Sequence, residues 1–331
     1  MLVTELTRSW GLRHPIVSAP MVGVAGGALA GAVAAAGALG LVGVGGGAAP
    51  DWIAGQADLA RPHGRFGLGL MLWVLERRPE LIDVVLAQRP FAVWLSFGDP
   101  TPYVDRVRSA GARVLCQVQT AAGARRAAQA GVDAIVAQGT EAGGHTGSVG
   151  ALPLLQIALE IGDAANVPVL AAGGIATGRA LGGVLAMGSA GAAIGTRFAA
   201  TAEALGTAAA KQRIVQAAET DTVHTHVFDL VHRAAWPDEY PGRALRNAFT
   251  DRWHGREAEL RARVDEVTPD FQAAAARGDY SQAHVYAGQS AGLVHDLPTA
   301  GDLVRRLADE AEATLTRARS LVVPEPPALQ E

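Results

Sequence analysis

The chain has 331 residues, of which 49% are hydrophobic and 18% charged, so its composition is that of a globular protein and not of a disordered one. Its length suits one large barrel-type domain with an appendage, or two ordinary domains. The formal net charge of −4 argues against a nucleic-acid-binding surface, which is usually basic. A single cysteine, Cys116, excludes an intramolecular disulfide and fits a reducing compartment.

An uncharged run from Pro15 to Pro50 is long enough to span a bilayer. A glycine pair and a glycine triplet interrupt it, and a buried strand–helix–strand unit explains it better than a membrane helix does. The N-terminal stretch carries Glu5 and Arg8 and lacks the apolar segment of a signal peptide. We therefore expect a cytoplasmic protein with no membrane partner.

Eight short apolar runs alternate with helical stretches between residues 16 and 196, which predicts a parallel sheet with right-handed crossovers. Eight such units indicate an α/β fold of the (β/α)8 TIM barrel type. The predicted strands cover residues 16–20, 39–44, 65–72, 91–97, 113–119, 133–138, 168–173 and 191–196.

Beyond Phe198 the alternation of strands and helices is lost, which divides the chain into four segments. Residues 1–200 are predicted to form the barrel, and residues 201–297 a smaller, mainly helical substrate or lid domain beside its mouth. Residues 298–320 have the pattern of one long amphipathic helix, which we assign as the final barrel helix. Residues 321–331 are proline-rich and are predicted to form a flexible tail.

Glycines and polar residues cluster where the predicted strands end, and active sites of barrel enzymes lie on that face. Gly173–Gly174 follow the seventh strand and Gly195–Thr196 follow the eighth, where phosphate sites commonly form. These residues indicate either a phosphate-bearing ligand or plain tight turns. His145 lies among four glycines in the loop after the sixth strand, a position that fits a role in general acid–base catalysis. No carboxylate or cysteine cluster joins the histidines at the spacing of metal ligands, so we predict no metal site.

Four segments together carry a family resemblance: HPIVSAPM, VAQGTEAGGHTG, PVLAAGGIATGRAL and AAIGTRF. They resemble the nitronate monooxygenase family, formerly called 2-nitropropane dioxygenases, and DTVHTHVF, ALRNAF and YAGQSAGLV extend the resemblance almost to the end of the chain. The resemblance implies an FMN-dependent (β/α)8 barrel with a helical substrate domain, which oxidises alkyl nitronates with O2 to carbonyl compounds and nitrite. The implied partners are a small-molecule substrate and O2. The oligomeric state stays open, with a homodimer as one alternative.

By position, the resemblance implies that His145 is the catalytic residue, which takes a proton from a nitroalkane or binds the nitronate anion. Glu141 would either orient His145 or cap the loop. Glycines at 143, 144 and 147 would let this loop approach the flavin ring without a clash of side chains. The cofactor-binding positions implied are Met21, Gly69, Gln138, Gly143, Gly173, Gly174, Ala193, Ile194, Gly195 and Thr196.

Gly69 is a departure from the family pattern. Members often carry Asn in a segment like FGVNL, where its side chain meets the flavin, and this chain reads FGLGL. The loss of that polar contact would change the flavin potential or leave room for a larger substrate.

Two alternatives to nitronate oxidation stay open. One is an NAD(P)H-dependent flavin reductase of the same superfamily, acting on enoyl-ACP or on quinones, although no GxGxxG fingerprint follows a strand. The other is a flavin- or phosphate-binding barrel that is not an enzyme.

Overall fold

The computed structural model describes residues 1–322. Its strands are β1 (Ile16–Ser18), β2 (Gly40–Gly43), β3 (Phe66–Met71), β4 (Ala92–Ser96), β5 (Arg113–Val118), β6 (Ala134–Gln138), β7 (Gly144–His145), β8 (Val169–Ala172), β9 (Gly191–Ile194), β10 (Thr222–Thr225) and β11 (Gly242–Leu245). Its helices are α1 (Glu5–Trp10), α2 (Gly27–Ala35), α3 (Pro50–Ala60), α4 (Leu72–Leu75), α5 (Leu81–Ala87), α6 (Thr101–Ser109), α7 (Ala121–Ala130), α8 (Ala151–Ala165), α9 (Gly178–Ala186), α10 (Thr196–Ala199), α11 (Ala208–Val215), α12 (Val227–His232), α13 (Ala248–Trp253), α14 (Glu257–Ala262), α15 (Val264–Ala276) and α16 (Ala300–Arg319), with 3₁₀ turns at Arg61–His63 and Gln289–Leu293.

Eight parallel strands form a ring in the order β1-β9-β8-β6-β5-β4-β3-β2. The ring closes between β1 and β2, where Val17 pairs in parallel with Leu39 and the N–H of Ser18 donates to the carbonyl of Leu39. Each of the eight predicted strands is present in this ring. The predicted TIM-barrel fold is therefore confirmed.

The barrel interior is filled by apolar side chains that point inward from alternate positions of the strands. Val17, Leu41, Trp94, Leu115 and Leu170 pack together there, and all are fully or almost fully buried. The neighbouring strand positions point outward and pack under the ring of helices. This two-layer arrangement makes the barrel a solid support for the loops at its mouth.

Cys116 is one of the outward-facing residues of β5 and packs in the core under the helices. Burial raises the pKa of its thiol to about 12. The thiol therefore stays protonated at neutral pH and behaves as a small buried hydrophobic group.

Helix α16 packs on the outside of the barrel against α9 and α2. The Glu310 carboxylate of α16 accepts the N–H of Gly178, the first residue of α9, at 2.8 Å. A side chain at Gly178 would meet the Cβ of Glu310 at 2.2 Å, so glycine allows the two helices to approach closely. The C-terminal helix thus takes the place of an outer helix of the barrel.

Residues 201–297, which we expected to be mainly helical, also contain two strands. β10 and β11 are antiparallel, and β11 pairs on its other edge with β7, which lies in the loop after β6. This three-stranded sheet joins the second region of the chain to the barrel mouth.

The predicted flexible tail and the predicted lack of a membrane helix concern different parts of the chain. Of the predicted tail, residues 323–331 lie outside the described residues. Within residues 1–322, no helix combines the length and the apolar character needed to cross a membrane.

Candidate active site

His145 lies in β7, at the mouth of the barrel, and its backbone pairs with Gly242 of β11. Its Nε2 atom is 2.8 Å from Oδ1 of Asp229, a residue of α12. Both side chains are only 8% exposed, so water does not screen this contact. The structure therefore pairs the predicted histidine with a carboxylate that is 84 positions away in the sequence.

Aromatic side chains surround the His145 ring. The half-buried Trp236 lies parallel to it, with 3.4 Å between ring centroids and 9° between planes. Trp236 in turn contacts Phe97 and Trp73, with centroid distances of 4.9 and 5.1 Å. Tyr286 also lies beside His145, with 5.6 Å between the ring centroids and 49° between the ring planes. One wall of the site is thus apolar and aromatic, which suits the carbon part of a small substrate.

Phe97 of this wall has a left-handed backbone, with φ of +59° directly after β4. This conformation costs a bulky residue about 1–2 kcal/mol. Strained residues of this kind concentrate at ligand-binding sites. The strain at Phe97 therefore agrees with a functional role for this face.

Three buried glutamine side chains lie at the ends of β5 and β6. The amide groups of Gln117 and Gln119 both donate to Oε1 of Gln138, at 2.8 and 3.0 Å, and Nε2 of Gln138 donates to the carbonyl of His145 at 3.2 Å. Within residues 1–322, the side-chain oxygens of Gln117 and Gln119 accept no hydrogen bond. The cluster fixes Gln138 beside His145 and leaves two amide oxygens for a ligand.

Glu141 does not contact His145. Its two carboxylate oxygens accept the N–H of Ala151, the first residue of α8, at 2.8 and 3.1 Å. A carboxylate at this position satisfies a free N–H group and interacts favourably with the helix dipole. Of the two roles considered for Glu141, the structure shows the cap.

The glycines of the His145 loop serve contacts inside the protein. A Cβ at Gly143 would meet the backbone of Ala287 and Gly288 at 2.6 Å, and one at Gly147 would meet the side chain of Gln119 at 2.7 Å. Gly144 has a φ of +74° and open space beside it. Close packing of the loop therefore explains Gly143 and Gly147, and a left-handed turn explains Gly144.

The loops after β8 and β9 contain the other predicted glycines. Gly173 and Gly174 both have left-handed backbones, with φ of +98° and +72°, and a Cβ at Gly174 would meet nothing within 4 Å. A Cβ at Gly195 would lie 3.6 Å from the sulfur of Met21, so the end of β9 adjoins the loop that follows β1. Ala193 and Ile194 are the last residues of β9, and the Thr196 hydroxyl accepts the N–H of Gly288 at 2.9 Å.

The space beside Gly69 is filled by the protein itself. A Cβ at this position would come within 2.3 Å of Cβ and 2.5 Å of Cγ of Pro20. Gly69 therefore leaves no room for a larger substrate, and that expectation was wrong. The pyrrolidine ring of Pro20 takes the place that a longer side chain would occupy.

Other histidines lie near this site. His224 is half-buried in β10, with its Nε2 2.8 Å from the carbonyl of Pro241 and 3.0 Å from the hydroxyl of Thr146. His284 pairs with His232 at 3.1 Å, and burial lowers the pKa of His284 to about 4, which keeps its ring neutral. These contacts explain both histidines without a ligand.

Sequence reasoning missed four residues of the site: Asp229, Trp236, Gln117 and Gln119. The glutamines end a predicted strand and could have been found, because β5 and β6 are neighbours and residues at their ends meet. Asp229 and Trp236 come from the second region, and no spacing in the sequence relates them to His145.

The site and the fold agree with what comparison with known proteins shows. Residues 71–310 match the nitronate monooxygenase family. The chain belongs to this family. It is 32% identical to a nitronate monooxygenase of Neurospora crassa, over 92% of this chain and 91% of that protein.

Two further relatives cover the whole barrel and have other names. A Mycobacterium tuberculosis protein, named as (3aS,4S,5R,7aS)-5-hydroxy-7a-methyl-1-oxo-octahydro-1H-indene-4-carboxyl-CoA dehydrogenase, is 30% identical over 97% of this chain and 99% of its own length. The solved structure of FabK from Thermotoga maritima superposes with a TM-score of 0.84 at 29% identity, over 97% of this chain and all of that one. This nitronate monooxygenase family member is a flavin-dependent oxidoreductase, which removes the alternative of a barrel that is not an enzyme.

Proposed function

We propose that this chain is an FMN-dependent enzyme that oxidises alkyl nitronates with O2 to carbonyl compounds and nitrite. The observation that carries the proposal is the buried contact of 2.8 Å between His145 and Asp229 at the barrel mouth. An imidazole held in this way can exchange a proton with a carbon acid or bind an anion at neutral pH. The cytoplasmic location and the homodimer stay predictions.

The residues at the strand ends fit FMN. Gly174 has a left-handed backbone with open space on its Cβ side, which lets main-chain N–H groups approach a phosphate. The unpartnered amide oxygens of Gln117 and Gln119 can accept hydrogen bonds from a flavin ring. We propose that Gly173, Gly174 and residues 193–196 hold the phosphate, and that Met21, Gly69, Gln138 and Gly143 line the place of the ring.

The bound flavin would supply the electron transfer. The protein residues have the other tasks: His145 takes the α-proton of a nitroalkane or donates a hydrogen bond to a nitronate oxygen. The aromatic wall of Trp236, Phe97 and Trp73 excludes water and receives the alkyl group.

A second candidate is a flavin-dependent reductase or dehydrogenase that acts on a thioester or a quinone. The extent of the match to FabK and to the M. tuberculosis dehydrogenase favours it, because both cover nearly all of this chain. Such a reductase would be reduced by NAD(P)H, whereas a nitronate monooxygenase needs no nicotinamide.

The proposal is tested with His145→Ala. This variant should keep its flavin absorbance and lose nitrite formation from ethyl nitronate by about 10²-fold or more, because it lacks the acid–base group. His254→Ala, at an exposed position in the second region, is the matched control and should retain full activity. Near wild-type turnover by His145→Ala would remove His145 from the mechanism.

A further inference from the structure

Within residues 1–322, the carboxylate of Asp229 is paired only with the histidines of this site. Its Oδ1 is 2.8 Å from Nε2 of His145, and its Oδ2 is 3.7 Å from Nδ1 of His226. Oδ2 is buried and makes no hydrogen bond within residues 1–322. A buried carboxylate with an unsatisfied oxygen is costly for folding, so its presence points to a role at the site.

The chemistry of a carboxylate decides which nitrogen of His145 carries the proton. An ionised carboxylate only accepts hydrogen bonds, so Nε2 of His145 must be the donor. In the neutral imidazole the lone pair then lies on Nδ1. Nδ1 has no hydrogen-bond partner in the described part of the chain, and this nitrogen is free to meet a substrate.

The orientation of the ring is fixed as well. The parallel stack of Trp236 on one face of His145, at 3.4 Å, holds the ring plane. The pairing of His145 with Gly242 holds its backbone. Turning the ring over would place carbon, instead of Nε2, against the carboxylate of Asp229. The ring therefore cannot turn over without loss of the buried hydrogen bond.

The other titratable groups near His145 do not take the place of Asp229 beside its ring. Burial, together with the Asp229 carboxylate, raises the pKa of Tyr286 well above its usual value, so the phenol stays neutral. Glu141, the acid in the same loop as His145, is engaged by the N–H of Ala151. Among the acids near this loop, Asp229 is the residue that touches the His145 ring.

We propose that Asp229 is a positioning residue that keeps the Nε2–H of His145 on its carboxylate, so that the bare Nδ1 takes the α-proton of a nitroalkane and, once protonated, donates a hydrogen bond to a nitronate oxygen. The role of Nδ1 toward the substrate rests on the proposed function. The tautomer of His145 is a property of the protein and does not depend on the identity of the substrate.

The first test reads the tautomer directly. Long-range proton–nitrogen NMR on protein labelled with nitrogen-15 histidine distinguishes protonated from bare ring nitrogens, and the His145 signal is the one that His145→Gln removes from the nine histidines. We expect a protonated Nε2 and a bare Nδ1 in the wild type. A dominant Nδ1–H tautomer of the neutral ring would overturn the proposal.

The second test uses Asp229→Asn, which keeps the shape of the side chain but can present an NH2 group to the ring. We expect the tautomer preference to be lost and kcat for ethyl nitronate to fall at least about 10-fold, with little change in KM and an intact flavin spectrum. Asp251→Asn, at an exposed position on α13 of the same region, is the control and should behave as wild type.

The outcomes separate this proposal from the proposed function. Wild-type kcat in a folded, flavin-loaded Asp229→Asn protein would overturn the positioning role. Absence of nitronate turnover in the wild type would overturn the proposed function alone, because the NMR signal of His145 still decides the tautomer. If Asp229→Asn fails to fold, the wild-type spectrum is the deciding measurement.

Discussion

The identity of single residues in the site is determined either by chemistry or by the space that their neighbours leave. His145 and Asp229 are paired in a place that is largely shielded from water, where an ionic hydrogen bond is strong and an unpaired charge is costly. Gly69 meets a steric demand, because the ring of Pro20 occupies the position of its missing side chain. A departure from the family pattern at residue 69 is thus explained by a neighbour at residue 20.

The steric explanation for Gly69 predicts the effect of restoring the family residue. Gly69→Asn should lower the melting temperature and flavin occupancy, since overpacking of a core costs typically about 1–3 kcal/mol. Combining Gly69→Asn with Pro20→Gly should be less damaging than the sum of the two single changes, because the second change removes the clash. Thermal unfolding of the four proteins gives the coupling energy. Additive effects would show that Pro20 is not the obstacle.

At the scale of elements, the sequence contains enough information for the barrel but not for the sheet that completes the site. The eight barrel strands are predictable because strands buried on both sides are continuous apolar runs. β7 is two residues long, and its pairing with β11 joins positions almost one hundred residues apart, as His145 and Gly242 do. Tertiary packing creates this sheet, so no local pattern reveals that Asp229 and His145 meet.

The loop that contains His145 is fastened at the start of α8 by Glu141, and this gives a prediction at the same scale. Glu141→Gln removes the charge from the helix N-terminus and should lower the free energy of unfolding by about 0.5–1 kcal/mol. Turnover should stay near that of the wild type, because Glu141 does not touch His145. Chemical denaturation and steady-state kinetics measure the two effects. A loss of kcat comparable with that of Asp229→Asn would assign Glu141 to the chemistry.

The whole molecule assembles the site from two parts of the chain. The barrel contributes His145, Gln138 and the glycines at 173 and 174. The second region contributes Asp229 and Trp236, and the β7–β11 pairing holds the parts together. A ligand that binds at the barrel mouth therefore couples the stability of the two parts to the activity of the site.

Cofactor binding is the clearest readout of this coupling. FMN at 100 times its dissociation constant should stabilise the fold by about 2.7 kcal/mol, which appears as a rise in melting temperature. Gly174→Val should abolish that rise and give a colourless protein. Gly255→Val is the matched control, because Gly255 also has a left-handed backbone, with φ of +80°, and open space around it. The two variants share the backbone strain. An equal loss of FMN in both would therefore show that Gly174 has no specific role in binding the phosphate.

Anaerobic mixing of the flavin-loaded protein with ethyl nitronate, and separately with NADH, tests the central claim most directly. Nitronate oxidation predicts that ethyl nitronate rapidly removes the visible flavin absorbance, that NADH leaves it unchanged, and that His145→Ala slows the loss. Rapid loss with NADH and none with ethyl nitronate would contradict the account and identify a nicotinamide-dependent reductase.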